Sequence, residues 1–277
     1  MRKNSAVIIF LVAIVSLIVL AFFALPCFSM ARGERKAVRE IEKMTPGKQA
    51  VAQKSRSASQ LPMKGVGCWV QKTSLDNPNI YSDIFGWYVA DTAIIDSFDN
   101  RTKKPLFMSY AGQDADFLIK KMQERKGKIT GVIWDYEHEG TSQNVAEGDL
   151  KKAYRAAKDL NLWFGVAILA NPKASLRRNG VSYENAESFA DFLMPMLYVQ
   201  WFGMKRQKLE NFLSDERRAT KLPIIATMTI ETTKTKPPKK LTPGEIVGIY
   251  KGLPADGFAV WNVKDLDKEY VSAFSAL

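Results

Sequence analysis

Residues 131–140 read GVIWDYEHEG. Small and apolar residues run straight into Asp135, Tyr136, Glu137, His138 and Glu139. A strand that served packing alone would not carry carboxylates here, because burying an unpaired charge is costly. Side chains alternate along an extended segment, so Ile133, Asp135 and Glu137 share one face and Val132, Trp134 and Tyr136 the other. If the second set packs against the body of the protein, the two carboxylates project together from the first. Two close carboxylates in a partly dry cleft push their pKa values apart, one kept as an acid and one ionised. Hydrolysis of a glycosidic bond uses that division of labour. The plain alternative is a solvated strand end, with Asp135 capping a helix or pairing a lysine, and periodicity alone does not separate the two.

Other chemistries have less to stand on. His138 is the single histidine and Cys27 and Cys68 are the two cysteines, which argues against a Cys/His zinc cluster or a histidine-based triad. Oxygen ligands such as Asp135, Glu137 and Glu139, with His138, would suit Mg²⁺ or Ca²⁺. Neighbours in that run alternate faces, however, so one strand cannot aim all four at one ion. No metal and no cofactor is expected.

The elements that must position the acids are legible as apolar runs. Eight of them stand at residues 65–71, 89–98, 105–110, 131–137, 162–169, 192–200, 223–231 and 257–263. Helical patterns fall between several of them, at 114–125, 147–160, 183–189, 205–220 and 242–251. The last opens with Thr242 as N-cap, Pro243 at the first helical position and Glu245 at the third. Near-continuous apolar strands separated by helices indicate a parallel sheet buried on both faces. The expected fold is α/β, a compact (β/α)8 barrel over residues 61–277. An open doubly wound sheet is the runner-up, but it should carry a glycine-rich phosphate loop after its first strand, and GVGCWV lies within the strand itself.

In a parallel barrel the C-terminal strand ends face the active site. That places the Asp135 end of the fourth run at the mouth. The sixth run adds Met196, Tyr198 and Gln200 on one face, the first Trp69, the seventh Glu231, and the eighth Trp261. Aromatic faces stack on sugar rings, while amides and carboxylates meet hydroxyls. For any single Trp, core packing is the plainer reading; their joint position carries the signal.

The 277-residue chain has an ordinary globular balance, 46% hydrophobic and 25% charged, with a net charge of +11. Much of that charge is local. Residues 1–60 hold ten Lys or Arg against three acids, leaving a mildly basic body, so no nucleic-acid partner is expected. Arg2 and Lys3 precede an apolar run over 6–25 that Pro26 breaks. Residues 1–31 read as a signal peptide or a transmembrane anchor, and 32–60 as a charged linker. The expected location is outside the cytoplasm, secreted, periplasmic or membrane-anchored facing outward. In such a chain the lone thiol of Cys68 should be buried. Residues 232–240, rich in Lys, Thr and Pro, read as a mobile loop.

Asp135-Tyr136-Glu137 at the fourth strand end, Met196-Leu197-Tyr198 on the sixth and Trp261 on the eighth resemble the chitinase-like family 18 glycoside hydrolases, which are β/α barrels. The family motif Asp-Gly-x-Asp-x-Asp-x-Glu aligns with Gly131, Asp135 and Glu137. The resemblance implies that Glu137 protonates the glycosidic oxygen. It implies that Asp135 orients a 2-acetamido group whose own carbonyl attacks the anomeric carbon, that Tyr198 bonds the acetamido oxygen, and that Trp261 floors the sugar subsite. Thr130 and Ile133 stand where the family has its first two Asp residues, and Val199 where Asp follows the Tyr. The reading is therefore an exported glycoside hydrolase-like barrel acting on a polysaccharide or oligosaccharide, with N-acetylhexosamine units as one candidate. The alternative is a non-catalytic carbohydrate-binding barrel that has lost part of the motif.

Overall fold

A computed structural model describes residues 60–136, 143–170, 180–197, 205–232, 239–261, 263–264 and 266–277, with the backbone alone at 143, 144, 231, 232 and 239. The segment 1–31 and all of the linker but Gln60 lie outside the described residues. Among the described residues no helix is long and apolar enough to cross a membrane.

Eight parallel strands close into a barrel. They are β1 (Val66–Val70), β2 (Phe85–Asp91), β3 (Leu106–Ala111), β4 (Gly131–Asp135), β5 (Trp163–Leu169), β6 (Phe192–Met196), β7 (Ile225–Thr229) and β10 (Gly257–Trp261), each beside the next and β10 beside β1. Helices α1 (Ala115–Glu124), α2 (Gln143–Asp159), α3 (Tyr183–Ser188), α4 (Arg206–Ala219), α5 (Pro243–Tyr250) and α6 (Lys268–Phe274) follow β3, β4, β5, β6, β7 and β10. The (β/α)8 expectation holds, with two departures. Only short 3-10 turns, Lys72–Ser74 and Pro78–Tyr81, join β1 to β2, and turns rather than a helix join β2 to β3.

Asn77 accounts for the first of these connections. Its side chain accepts from the Asn79 amide and donates towards the Val263, Lys264 and Leu266 carbonyls at 3.3, 3.1 and 2.8 Å. One amide thus ties the β1–β2 connection to the segment after β10, across the seam where the barrel closes. Four helices carry the side-chain caps their sequences provide, from Asp114, Ser182, Thr242 and Asp267. At Thr242 the capping box forms in full: its Oγ1 accepts from the Glu245 amide at 3.2 Å, and its own amide donates to Glu245 at 2.7 Å.

Strand alternation divides the apolar residues into two cores. Val132, Trp134 and Tyr136 belong to the outer one, between sheet and helices. Ile133, Trp69, Trp87, Phe107, Phe192 and Met196 belong to the inner one, which fills the barrel. Glycines make room for the large rings. A Cβ at Gly165 would stand 2.1 Å from the Phe192 ring, and one at Gly67 2.3 Å from Trp87. Trp87, Phe107 and Phe192 meet edge to face, at 6.0 and 5.8 Å between ring centres. A ring buried this way contributes about 1.5–3 kcal/mol by removal from water, and it makes the barrel interior a packed plug below the mouth.

Two expectations need correction. The second strand is Phe85–Asp91, not 89–98; Ile94, Ile95 and Phe98 are buried in the outer core from turns, which mimics a strand's composition. Asp96, in the same turns, pairs with the buried Arg125 guanidinium. The stretch read as a mobile loop begins and ends in a small antiparallel ladder, β8 (Glu231–Thr232) with β9 (Lys239–Lys240); residues 233–238 lie outside the described residues. Cys68 is fully buried as expected, and burial pushes its thiol pKa up.

Candidate active site at the barrel mouth

Asp135 is the last residue of β4, level with Ala111 on β3 and Ala167 on β5. Ile133, two residues earlier, points into the barrel, so Asp135 shares that inward face at its C-terminal rim. The flanking outward residues fix it. The Trp134 indole donates to the Gly112 carbonyl at 2.8 Å, and the Gly112 amide donates back to the Asp135 carbonyl at 3.2 Å. A Cβ at Gly112 would stand 2.6 Å from the Tyr110 hydroxyl, so a larger residue at this corner would displace the tyrosine ring. On the other side, the Tyr136 hydroxyl donates to Asp149 of α2 at 2.9 Å.

Other expected site residues gather at the same rim. Trp69 and Met196 belong to the inner core, and Trp261, at the end of β10, packs against it while remaining partly exposed. Trp261 is level with Thr229 of β7, and Met196 with Thr227. Trp69 is buried to 4% exposure, so it is a wall of the mouth rather than an open platform. Glu137, Tyr198 and Gln200 lie outside the described residues, as does His138. Of Glu231 the backbone alone is described, two residues past the end of β7 and opposite Lys240.

The structure adds residues that sequence reasoning missed. Asp91 ends β2, level with Ser109 of β3, and its carboxylate accepts from the Trp69 indole at 3.0 Å. Burial raises its pKa above the usual carboxylate range, and the indole hydrogen bond opposes that shift. Ser109, Thr227 and Thr229 are buried polar residues on the same inward face, and the Thr227 hydroxyl donates to the Pro195 carbonyl at 3.0 Å. A signal for Asp91 was present in sequence: WYVAD, like VIWD, is an apolar run that ends in an acid. Displacing the second strand by four residues hid it.

No protein-family model matches the chain, and no curated protein matches it in sequence. Solved structures do match in shape. A chitinase from Chromobacterium violaceum superposes with a TM-score of 0.58 at 12% identity, over 77% of this chain and 98% of that one. A GH128 endo-β-1,3-glucanase from Amycolatopsis mediterranei, in complex with laminaritriose, gives 0.53 at 14%, over 78% and 99%. A Schiff-base-forming fructose-1,6-bisphosphate aldolase gives 0.52 at 17%, over 79% and 94%. Likeness at this level is likeness of fold, and one fold hosts many chemistries. The chain is a (β/α)8 barrel of the fold shared by family 18 and family 128 glycoside hydrolases, with acidic and aromatic side chains at the C-terminal mouth where barrel enzymes work.

Proposed function

We propose that the chain is an exported glycoside hydrolase that cleaves a polysaccharide, with N-acetylhexosamine units as the leading candidate. The observation that carries the reading is the inward aim of Asp135 at the C-terminal rim of a closed parallel barrel, to whose inner face other strands contribute Trp69, Met196 and Trp261. Glu137 follows Asp135 by two residues. In the proposed reaction Glu137 gives its proton to the glycosidic oxygen as the bond to the anomeric carbon breaks. The substrate's acetamido carbonyl bonds that carbon from the opposite side, oriented by Asp135 and Tyr198. Water then attacks the same carbon, losing a proton to Glu137, as the bond to the acetamido oxygen breaks and the acetamido group is restored. No protein nucleophile is required. Trp261 supports the sugar ring, and Gln200 and Glu231 meet hydroxyls.

Glu137→Gln keeps the shape of the side chain and removes the proton. Turnover of the active polysaccharide should fall by about 10²–10⁴-fold, with oligosaccharide affinity retained. Full activity in this variant would end the assignment. Export is tested separately: alkaline phosphatase fused after residue 60 should be active outside the cytoplasm, and an inactive fusion would refute it.

One observation favours a second reading, a barrel that binds glycans without cleaving them. Ile133 occupies the position of the family Asp that pairs with the next acid, and it is fully buried in the inner apolar core. Under that reading the wild type shows no turnover, while Trp261→Ala weakens binding.

A further inference from the structure

Asp91 is a carboxylate whose placement the fold does not explain. It lies on the inward face at the top of β2, two residues beyond Val89 of the inner core. Its one side-chain hydrogen bond among the described residues is the Trp69 indole on Oδ1, at 3.0 Å. No Lys or Arg among the described residues pairs with it, in contrast to Asp96, Asp191 and Asp256. A partly buried carboxylate held by one neutral donor costs stability, and a residue chosen for packing would not be an acid. Trp69 holds the carboxylate by Oδ1, which leaves Oδ2 as an acceptor at the mouth.

The register sets Asp91 near Asp135. Asp91 is level with Ser109, and Asp135 with Ala111, so one strand separates the two acids on one wall of the mouth. No Lys or Arg stands among the described inward-facing residues of the strand ends, which include Trp69, Asp91, Ser109, Asp135, Met196 and Trp261. A carboxylate only accepts hydrogen bonds when ionised, and acidic side chains on one wall make the mouth less favourable to an anion.

We propose that Asp91 is a substrate-contacting carboxylate, its Oδ2 accepting sugar hydroxyls, with Trp69 as the positioning residue that holds it, and that the mouth thereby selects a neutral glycan over one bearing uronic acids or phosphates. The inference rests on the glycoside reading above and narrows its substrate class.

The test uses the intact chain carrying Glu137→Gln, titrated calorimetrically with N-acetylchitohexaose, laminarihexaose and hexagalacturonate. A neutral hexamer should bind, and hexagalacturonate should bind at least about tenfold more weakly. Adding Asp91→Asn should weaken the neutral hexamer by about 10- to 100-fold, the loss expected for a hydrogen bond to a charged group, with the melting temperature unchanged or raised. Trp69→Phe should weaken it less, and the double variant should fall short of the sum of the two, because both act through one contact. Neutral-hexamer affinity indifferent to Asp91→Asn, or tightest binding to hexagalacturonate, overturns the inference while leaving the glycan reading standing. A loss of affinity that only tracks a loss of melting temperature assigns Asp91 a structural role and overturns it too. If no hexamer binds with Asp91 intact, the glycan reading falls and takes this inference with it.

Discussion

The Tyr136 hydroxyl donates to the carboxylate of Asp149 at 2.9 Å, tying the first residue past β4 to the second turn of α2. Tyr136 is almost fully buried and its ring packs edge-on against Trp134, with 5.0 Å between centres. Asp135 thus sits between two outward anchors, one bonded to the β3–α1 corner and the other to a helix. An inward carboxylate is held by what its outward neighbours grip.

Tyr136→Phe should accordingly cost activity as well as stability. Losing the hydroxyl removes one hydrogen bond to a charged group, about 1.5–3 kcal/mol at most. Slackening of the β4 end should lower kcat by about tenfold with KM little changed, because misplacement near the reacting centre acts on the rate. Steady-state kinetics alongside a thermal melt checks this. Unchanged kcat in the phenylalanine variant would mean that Asp135 does not depend on this anchor.

Much of this architecture was legible because buried parallel strands advertise themselves. Val132, Ile133 and Trp134 have no polar face to confuse the reading, and alternation assigned them to the correct sides. Thr242 with Glu245 marked the start of α5 through cap chemistry. The failure at β2 has a physical source. Ile94, Ile95 and Phe98 fill the outer core from a turn, so composition pointed to a strand where the backbone makes none. Asp91 went unseen for the same reason, because an acid in a strand's interior suggests nothing, while one at its inward end suggests a site. The Asn77 clamp across the seam was beyond reach, since nothing local ties residue 77 to carbonyls more than 180 positions away.

Ile133→Asp, which installs the Asp that the family 18 glycoside hydrolase motif carries at this place, should not create activity. The position is fully buried, level with Ser109 and Gly165 inside the barrel. An added carboxylate there lacks water and meets the inner apolar core. The variant should melt at least about 10 °C lower than wild type or be insoluble, whereas Ile133→Val should cost only about 0.5–1.5 kcal/mol. Thermal unfolding of both decides the matter. A soluble Ile133→Asp protein with wild-type melting would show that the barrel below Asp135 accommodates charge.

Glu216 gives the chain a pH dependence with a definite sign. It is fully buried near the end of α4, and neither carboxyl oxygen finds a hydrogen-bond partner among the described residues. Burial raises its pKa from 4.5 to about 8, with Arg217 opposing the shift only in part. Between those two values the folded chain keeps a proton that the unfolded chain has lost. Stability from this group is therefore fully present below pH ~4.5, falls as pH rises, and is gone above pH ~8. Asp91, also raised by burial, acts in the same direction. Glu216→Gln keeps the neutral shape and cannot ionise, so its melting temperature should decline less between pH 5 and 8 and exceed that of wild type by several degrees at pH 8. Parallel slopes in the two proteins would mean that Glu216 ionises freely in the folded state, and that a partner compensates its charge.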